Sequence, residues 1–489
     1  MLKVLFVSPE AVPFAKTGGL ADVSGALPRA LKEIGGEARL VMPFYQMVRK
    51  LGFKYQPLLE DVEVSMGNRL LKGNIHGILD WQNDFPVYFV QKDEFYDRNN
   101  LYGTPKGDYL DNGERFIFFS KMVFALCKKL NYSPDIIHCN DWQTGLIPTY
   151  LKTLFKKDPF FAKTASIYSI HNVAYQGIFN KDVFAQTGLP PKLFFPSSLE
   201  FWGKINFMKA GIIFADIINT VSEKYRQEIQ TKEYGYGIEE LLKDRKEDLY
   251  GVLNGADYQE WNPAIDRFIA SNYSSDDLSG KMKCKQDLLK TFSLSEEVRS
   301  FPLLGVISRL ADQKGFDLLV EAMDDLMKLD LGFVLLGTGD EKYHELFTMI
   351  GKKYPGKTGI KIAYDNVLAH KIEAGCDMFL MPSRYEPCGL NQMYSLKYGT
   401  IPIVRATGGL DDTIQEFDPF TGKGTGFKFR NYHSRDLLQA TKKALKIYQD
   451  KVKWNQLIKN AMAADFSWKK SAKKYFELYQ KALEKTKQV

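Results

Sequence analysis

The sequence predicts an α/β protein made of two doubly wound, Rossmann-like domains with parallel sheets. Three observations carry this: short β-branched runs alternate with helical patterns in the first half, the alternation restarts in the second half, and a turn-rich aromatic segment separates the two. In the first half the strand candidates are "KVLFV" (3–7), "ARLVMP" (38–43), "PDIIHC" (134–139), "ASIYSIH" (165–171) and "ADIINTVS" (215–222), each followed by a turn. Residues 52–90 break the rhythm, because "DVEVSM", "GNIHGILDW" and "FPVYFVQ" follow one another with only turns between, and they predict a β-hairpin insertion. The second half reads strand "PLLGVIS", helix "FDLLVEAMDDLMK", strand "GFVLLG", helix "KYHELFTMIGKK", strand "IKIAY", helix "LAHKIEAG", strand "DMFLMP", helix "LNQMYSLKYG" and strand "IPIVRA". With "YGVLNGADYQEWNP" (250–263) as the divider, the expected domains are 1–256 and 257–465, followed by a Lys-rich helical tail.

Composition narrows the function classes. At 45% hydrophobic and 26% charged residues the 489-residue chain has ample core for several domains. The net charge of +7 is spread along the chain; it suits phosphate-bearing ligands and does not imply nucleic acid. Five cysteines, an odd number with no C-x-x-C pair, predict reduced thiols, a cytoplasmic setting and no structural zinc. The N-terminal apolar run is too short for a signal peptide, and no stretch approaches the ~20 apolar residues of a membrane span, so no membrane association is expected.

Candidate chemistry lies at the strand ends, where doubly wound sheets bind ligands. In "KTGGLADV", Lys16, Gly18 and Gly19 form either a phosphate cradle at a helix N-terminus or a plain strand-to-helix turn. Pro28 leaves open one kinked helix or two short ones. Asp141 of "HCNDWQTG" is either a cleft carboxylate for sugar hydroxyls or a helix N-cap. His171 of "SIHNVAYQG" is either a hydrogen-bond donor to a ligand or structural. Arg309 and Lys314 of "SRLADQKG" supply two cations able to neutralise a diphosphate without a metal, unless they form surface ion pairs. In "MPSRYEPCGLNQMYSLKYG", the backbone of Cys388, Gly389, Leu390 and Asn391 opens a helix that could take a phosphate. Glu386 either holds sugar hydroxyls or only places charge at that helix. A second "TGGL" at 407–410 echoes the first. The chain has no D-x-D, no H-E-x-x-H and no complete G-x-G-x-x-G, so neither a metal nor a nicotinamide cofactor is expected.

Taken in order, "KTGGLADV", "HNVAYQG", "SRLADQKG", "EPCGLNQMYSLKYG" and "TGGLDDT", with "YGVLNGADYQEWNP" and the late "DFSW", make the chain resemble the bacterial glycogen synthases from residue 2 to about 480. The resemblance implies a GT-B glycosyltransferase whose two domains face each other across a deep cleft. It implies transfer of glucose from ADP-glucose to the 4-hydroxyl of an α-1,4-glucan, with retention of configuration and no metal or cofactor. It also implies that helix 466–489 returns to the first domain, the acceptor and catalytic domain, while the second binds the nucleotide sugar.

Residue by residue, the resemblance places Lys16, Gly18 and Gly19 on the diphosphate and glucose, with Asp22 nearby, and Arg309 and Lys314 on the diphosphate. It places Glu386 on the glucose, Cys388 to Asn391 on phosphate and sugar, and Tyr364 on the adenine. His171 would face the glucose, and Asp141, Tyr96 and Asn254 would line the cleft. Two positions depart from the wider pattern: Gln143 stands where many related sequences have histidine, and Tyr394 stands where many retaining GT-B enzymes have a second glutamate. The competing expectations are a starch-synthase-like or UDP-glucose-using enzyme and an inactive glucan-binding protein of the same fold.

Overall fold

The computed structural model describes residues 1–82, 85–104 and 106–487. It has two compact units: one holds Met1–Val221, Arg226–Gly255 and the chain from Trp468 onward, the other Ser222–Tyr225 and Ala256–Ser467.

The main sheet of the first unit is built from β1 (Lys3–Val7), β2 (Glu37–Pro43), β3 (Gln56–Met66), β4 (Arg69–Trp81), β5 (Phe85–Gln91), β6 (Ile136–Asn140), β7 (Ala165–Ile170), β8 (Ile217–Thr220) and β9 (Leu249–Gly251). They form one sheet in the order β9-β8-β7-β6-β1-β2-β5-β4-β3. Only β4 runs against its neighbours; the other pairings are parallel. The expected hairpin is thus present but is no separate insertion, because β5 pairs with β2 and extends the main sheet. The central strands are continuous apolar runs because both faces are covered; in "KVLFV" everything after Lys3 is buried.

Helix α1 (Gly19–Glu33) is a single helix with Pro28 inside it, and α2 (Asn112–Lys129) buries a phenylalanine-rich face. The C-terminal helix Trp468–Lys487 buries Trp468, Ala472, Tyr475, Tyr479 and Ala482, a stripe at helical spacing. Polar contacts fix its register. Tyr479 OH meets His138 Nδ1 at 2.8 Å and Asn219 Nδ2 donates to Tyr475 OH at 3.2 Å, while Ser169 Oγ bridges His138 and Asn219 at 2.6 Å each. Three adjacent strands, β6, β7 and β8, therefore grip one helix through a fully satisfied buried network.

The second unit has strands β10 (Leu303–Ile307), β11 (Gly332–Gly337), β12 (Thr358–Ile362), β13 (Met378–Met381), β14 (Ile401–Arg405) and β15 (Phe427–Phe429), all parallel, in the order β12-β11-β10-β13-β14-β15. Side chains alternate between two cores: Leu304, Val306, Phe333 and Leu335 enter one, Leu303, Val334 and Leu336 the other. Helix α3 (Phe316–Met327) closes the first core with Phe316, Leu319, Met323 and Leu326. Each such side chain contributes roughly 1.5–3 kcal/mol of burial. Helices α4 (Glu341–Lys353), α5 (Asn366–Gly375), α6 (Asn391–Lys397) and α7 (Gly408–Thr413) complete the alternation. No helix among the described residues is long and apolar enough to cross a membrane.

The turn-rich divider is pinned by Trp261, whose ring lies flat between His370 (centroids 3.9 Å apart) and Tyr394 (4.3 Å). His370 Nδ1 lies 2.8 Å from Asp266 Oδ2, which also accepts the Tyr398 hydroxyl at 2.6 Å. Burial alone would lower the His370 pKa, but its contacts with Asp266 and Glu260 outweigh burial and push it up to about 9, so an imidazolium stacks on the indole. Because the folded pKa lies above the ordinary 6.5, this stabilisation is complete below pH 6.5 and is lost as pH rises through 9. A shift of that size corresponds to at most about 3 kcal/mol. Asp266→Asn should therefore lower the denaturation midpoint most at pH 6, and the gap to the wild type should narrow by pH 10, as read by urea titration at both pH values.

Candidate active site

In the first unit, adjacent parallel strands β1, β6 and β7 end at one edge and deliver the Lys16–Gly19 turn, Asp141 and His171 there. Lys16 Nζ pairs with Asp22 Oδ1 at 2.7 Å. The amides of Thr17 and Gly18 do not await an anion, as the cradle reading required, because both donate to Glu10 Oε2, at 2.5 and 3.3 Å. The faces of Gly18 and Gly19 are open: a Cβ built on either meets nothing within 4 Å.

Asp141 begins the short helix Trp142–Thr144 but does not cap it with its side chain. With φ of 55° it turns away, and its Oδ1 accepts the His171 backbone N–H at 2.7 Å. Burial pushes its pKa up to about 7 against the pull of the His171 and Asn172 amides. His171 is pushed down to about 3 by burial, so its ring is neutral at pH 7. Asn140 spends its Nδ2 on the Val7 and His138 carbonyls, which leaves its Oδ1 facing His171 Nε2 at 2.9 Å. That network assigns the ring proton to Nε2. The expectation that His171 donates to a ligand is corrected: its one ring proton is spent on Asn140, and Nδ1 can only accept.

Tyr96 also requires correction. It is fully buried and its hydroxyl donates to the Arg115 carbonyl at 2.8 Å, so it lines no surface that a substrate can reach. Asn254 is buried, and its Oδ1 has no partner among the described residues.

The second unit gathers its candidates at the carboxyl ends of β10 and β13. Arg309 is exposed just past β10, and Tyr364, past β12, has 80% of its surface exposed. Lys314 donates to both oxygens of Glu386, at 2.7 and 2.9 Å across 72 residues of sequence, and Ser383 Oγ donates to Glu386 Oε2 at 3.0 Å. Glu386 is therefore not merely a charge near a helix start; its carboxylate is buried and held by Lys314 and Ser383. Gly315 follows Lys314 with φ of 75°, and a Cβ there would lie 2.0 Å from the Pro382 carbonyl, so only glycine brings this lysine close to the β13 loop.

Cys388 is buried, and Gly389 and Leu390 form the half-buried turn into α6. Asn391 opens α6, and its side-chain Nδ2 donates to the Ile307 carbonyl at 3.0 Å, which ties the side chain to the end of β10.

The two "TGGL" segments do unlike jobs. Gly409 N donates to the Glu386 and Pro387 carbonyls at 3.1 and 3.2 Å, and a Cβ on Gly408 or Gly409 would lie 1.9 Å from Glu386 O or 2.1 Å from Cys388 O. The second pair braces the Glu386–Cys388 turn from behind, whereas the first presents an open face. Ser222 Oγ adds a bond to Pro387 O at 2.6 Å. Sequence reasoning missed this bracing, and it missed Glu10 and Tyr102 beneath the first turn. Among the described residues no group of three or more His, Cys, Asp or Glu could hold a metal ion.

Comparison with known proteins agrees along the whole chain. Residues 3–244 match the family model of the starch synthase catalytic domain, and 295–462 that of group 1 glycosyl transferases. Glycogen synthases from Koribacter versatilis and Moorella thermoacetica are each 48% identical, covering 98% and 99% of this chain and 98% and 97% of theirs. The one from Thermotoga maritima is 47% identical over 99% of both chains. The catalytic domain of starch synthase IV from Arabidopsis thaliana, solved bound to ADP and acarbose, superposes with a TM-score of 0.90 at 33% identity over 99% of both chains.

The contrast between the glycine pairs can be tested by adding a methyl group. Gly409→Ala should cost about 1–3 kcal/mol of stability by overpacking against Cys388, and Gly19→Ala should stay within about 0.5 kcal/mol of the wild type. Thermal and urea unfolding of the two variants read the difference.

Proposed function

Because the chain belongs to the glycogen and starch synthase family of GT-B glycosyltransferases, we propose that it extends α-1,4-glucans by transferring glucose from ADP-glucose to the 4-hydroxyl at the non-reducing end, with retention of configuration. The observation that carries the reading is the junction of Lys314 with Glu386, in the loop that Arg309 opens just past β10. It puts two cations and a carboxylate at strand ends, where a doubly wound sheet takes a nucleotide.

In this reading the second unit holds the donor. Tyr364 stacks on the adenine, Arg309 and Lys314 neutralise the diphosphate, Glu386 accepts glucose hydroxyls, and the Cys388–Asn391 backbone contacts phosphate and sugar. For the first unit taken by itself, Lys16, with Asp22 beside it, and the open faces of Gly18 and Gly19 are read as ligand contacts. His171 Nδ1 accepts a sugar hydroxyl, and Asp141 and the orphan Oδ1 of Asn254 serve the sugar side. All five cysteines are free and buried, which suits a reducing cytoplasmic setting.

Retention is assigned to front-face displacement. The bond from glucose C1 to the ADP oxygen breaks while the bond from C1 to the acceptor O4 forms on the same face, and the acceptor hydroxyl proton passes to the departing phosphate oxygen. Charge grows on that phosphate, and Arg309 and Lys314 stabilise it most in the transition state. Glu386 is occupied by Lys314 and Ser383, which suits a binder of hydroxyls better than a nucleophile.

The decisive experiment incubates the purified protein with glycogen and radiolabelled ADP-glucose or UDP-glucose. Incorporation from ADP-glucose supports the proposal; preference for UDP-glucose replaces the donor, and glucan binding without incorporation leaves a binding protein. Arg309→Ala and Lys314→Ala should each lower turnover by about 10²–10³, with a smaller effect on glucan binding. A glucosyl adduct on Glu386 or Asp141, sought by mass spectrometry, would overturn front-face displacement.

A further inference from the structure

Glu10 lies three residues beyond β1 and is 4% exposed. Its Oε2 accepts the backbone N–H groups of Thr17 and Gly18; its Oε1 accepts the Thr17 hydroxyl at 2.6 Å and the Tyr102 hydroxyl at 2.7 Å. The backbone beneath it is held as well, since Ser8 Oγ donates to Glu10 O at 2.6 Å and Ser24 Oγ to Ser8 Oγ at 2.8 Å. A buried carboxylate is costly unless donors surround it. Here three of the four donors to the carboxylate come from residues 17 and 18, so the glycine turn cannot move without stranding the charge.

We propose that Glu10 is a positioning residue for the donor site: its carboxylate, supported by Tyr102, pre-forms the Lys16–Gly19 turn so that Lys16 and the open glycine faces meet the sugar nucleotide already ordered. The proposal rests on the donor-site reading of that turn. Ordering a turn of this length on binding would otherwise cost about 1–2 kcal/mol per residue, and the Glu10 contacts place that cost in folding instead. Both carboxylate oxygens act only as acceptors. A glutamine can replace them geometrically, with its oxygen toward the two amides and its NH2 toward the two hydroxyls, which can turn to accept. Position and charge are therefore separable.

The test uses the full chain and four variants, Glu10→Ala, Glu10→Gln, Tyr102→Phe and Lys16→Ala. The readouts are amide hydrogen exchange across residues 14–20 without ligand, and kcat and KM for ADP-glucose and for glycogen. Glu10→Ala should speed exchange at Thr17 and Gly18 and lower kcat/KM for the donor, each by about tenfold or more, with the KM for glycogen unchanged. Glu10→Gln should restore most of both, and Tyr102→Phe should shift both in the same direction by less, which decides the matter if Glu10→Ala does not fold. Unchanged exchange in Glu10→Ala and Tyr102→Phe overturns the positioning role, as does faster exchange with unaltered donor kinetics. A Glu10→Gln that loses activity while keeping slow exchange overturns it in favour of charge. Lys16→Ala with unaltered donor kinetics overturns the donor-site reading itself, whatever the exchange shows.

Discussion

In a doubly wound sheet, successive connections leave the central strands in opposite directions, so the carboxyl ends of two neighbouring strands border a crevice at the point where the strand order reverses. In the first unit these strands are β1 and β6; in the second they are β10 and β13. Each singled-out group that the structure leaves able to meet a ligand at the first unit's reversal, Lys16 to Gly19 and Asp141, follows β1 or β6, and Arg309, Lys314 and Glu386 follow β10 or β13. Tyr96, after β5 at a distance from the reversal, is packed into the interior. Strand order accounts for these groups, while His171 after β7, Asn254 after β9 and Tyr364 after β12 stand at other strand ends of the same sheets.

A crevice of this kind puts polar side chains where water is partly excluded, and each unit meets that cost differently. Glu10 surrounds its charge with the donors of the turn it supports. Glu386 takes a lysine from the neighbouring loop and a serine from its own. Asp141, with two backbone donors and no cation, stays closer to the protonated form. The first two arrangements stiffen a loop as well as satisfying a charge, because each spans two segments of chain that would otherwise part.

Much of the fold was legible because its signals are local. Apolar strand runs and amphipathic helices such as "FDLLVEAMDDLMK" fall on β10 to β14 and α3 to α6 within one or two residues. The carboxyl-edge motifs were legible as candidates for the same reason. What stayed hidden was contact between distant residues. Nothing near Glu10 announces that it serves residues 17 and 18, and no periodicity links Lys314 to Glu386. The repeated "TGGL" shows the limit of identical letters: one pair faces open space and the other a carbonyl about two ångströms from a would-be Cβ. Asn391 and His171 were recognised by position, but the groups their side chains bond, the Ile307 carbonyl on β10 and Asn140 on β6, lie far away in sequence.

The Lys314–Glu386 pair ties stability to the proposed chemistry. A buried carboxylate left without its cation is destabilising by several kcal/mol, so without a donor the lysine belongs to Glu386. A diphosphate beside Arg309 offers the same lysine a stronger anion, and a glucose ring offers Glu386 hydroxyl donors in its place. The exchange balances only when both parts of the donor arrive together: the nucleotide alone would draw the lysine away from a carboxylate that keeps only Ser383, and glucose alone would offer the lysine nothing. On the proposed donor reading, the pair would therefore favour the intact sugar nucleotide over ADP or free glucose. It does so without any residue that reads the whole molecule, because the cost of separating two charges is repaid only from both ends at once.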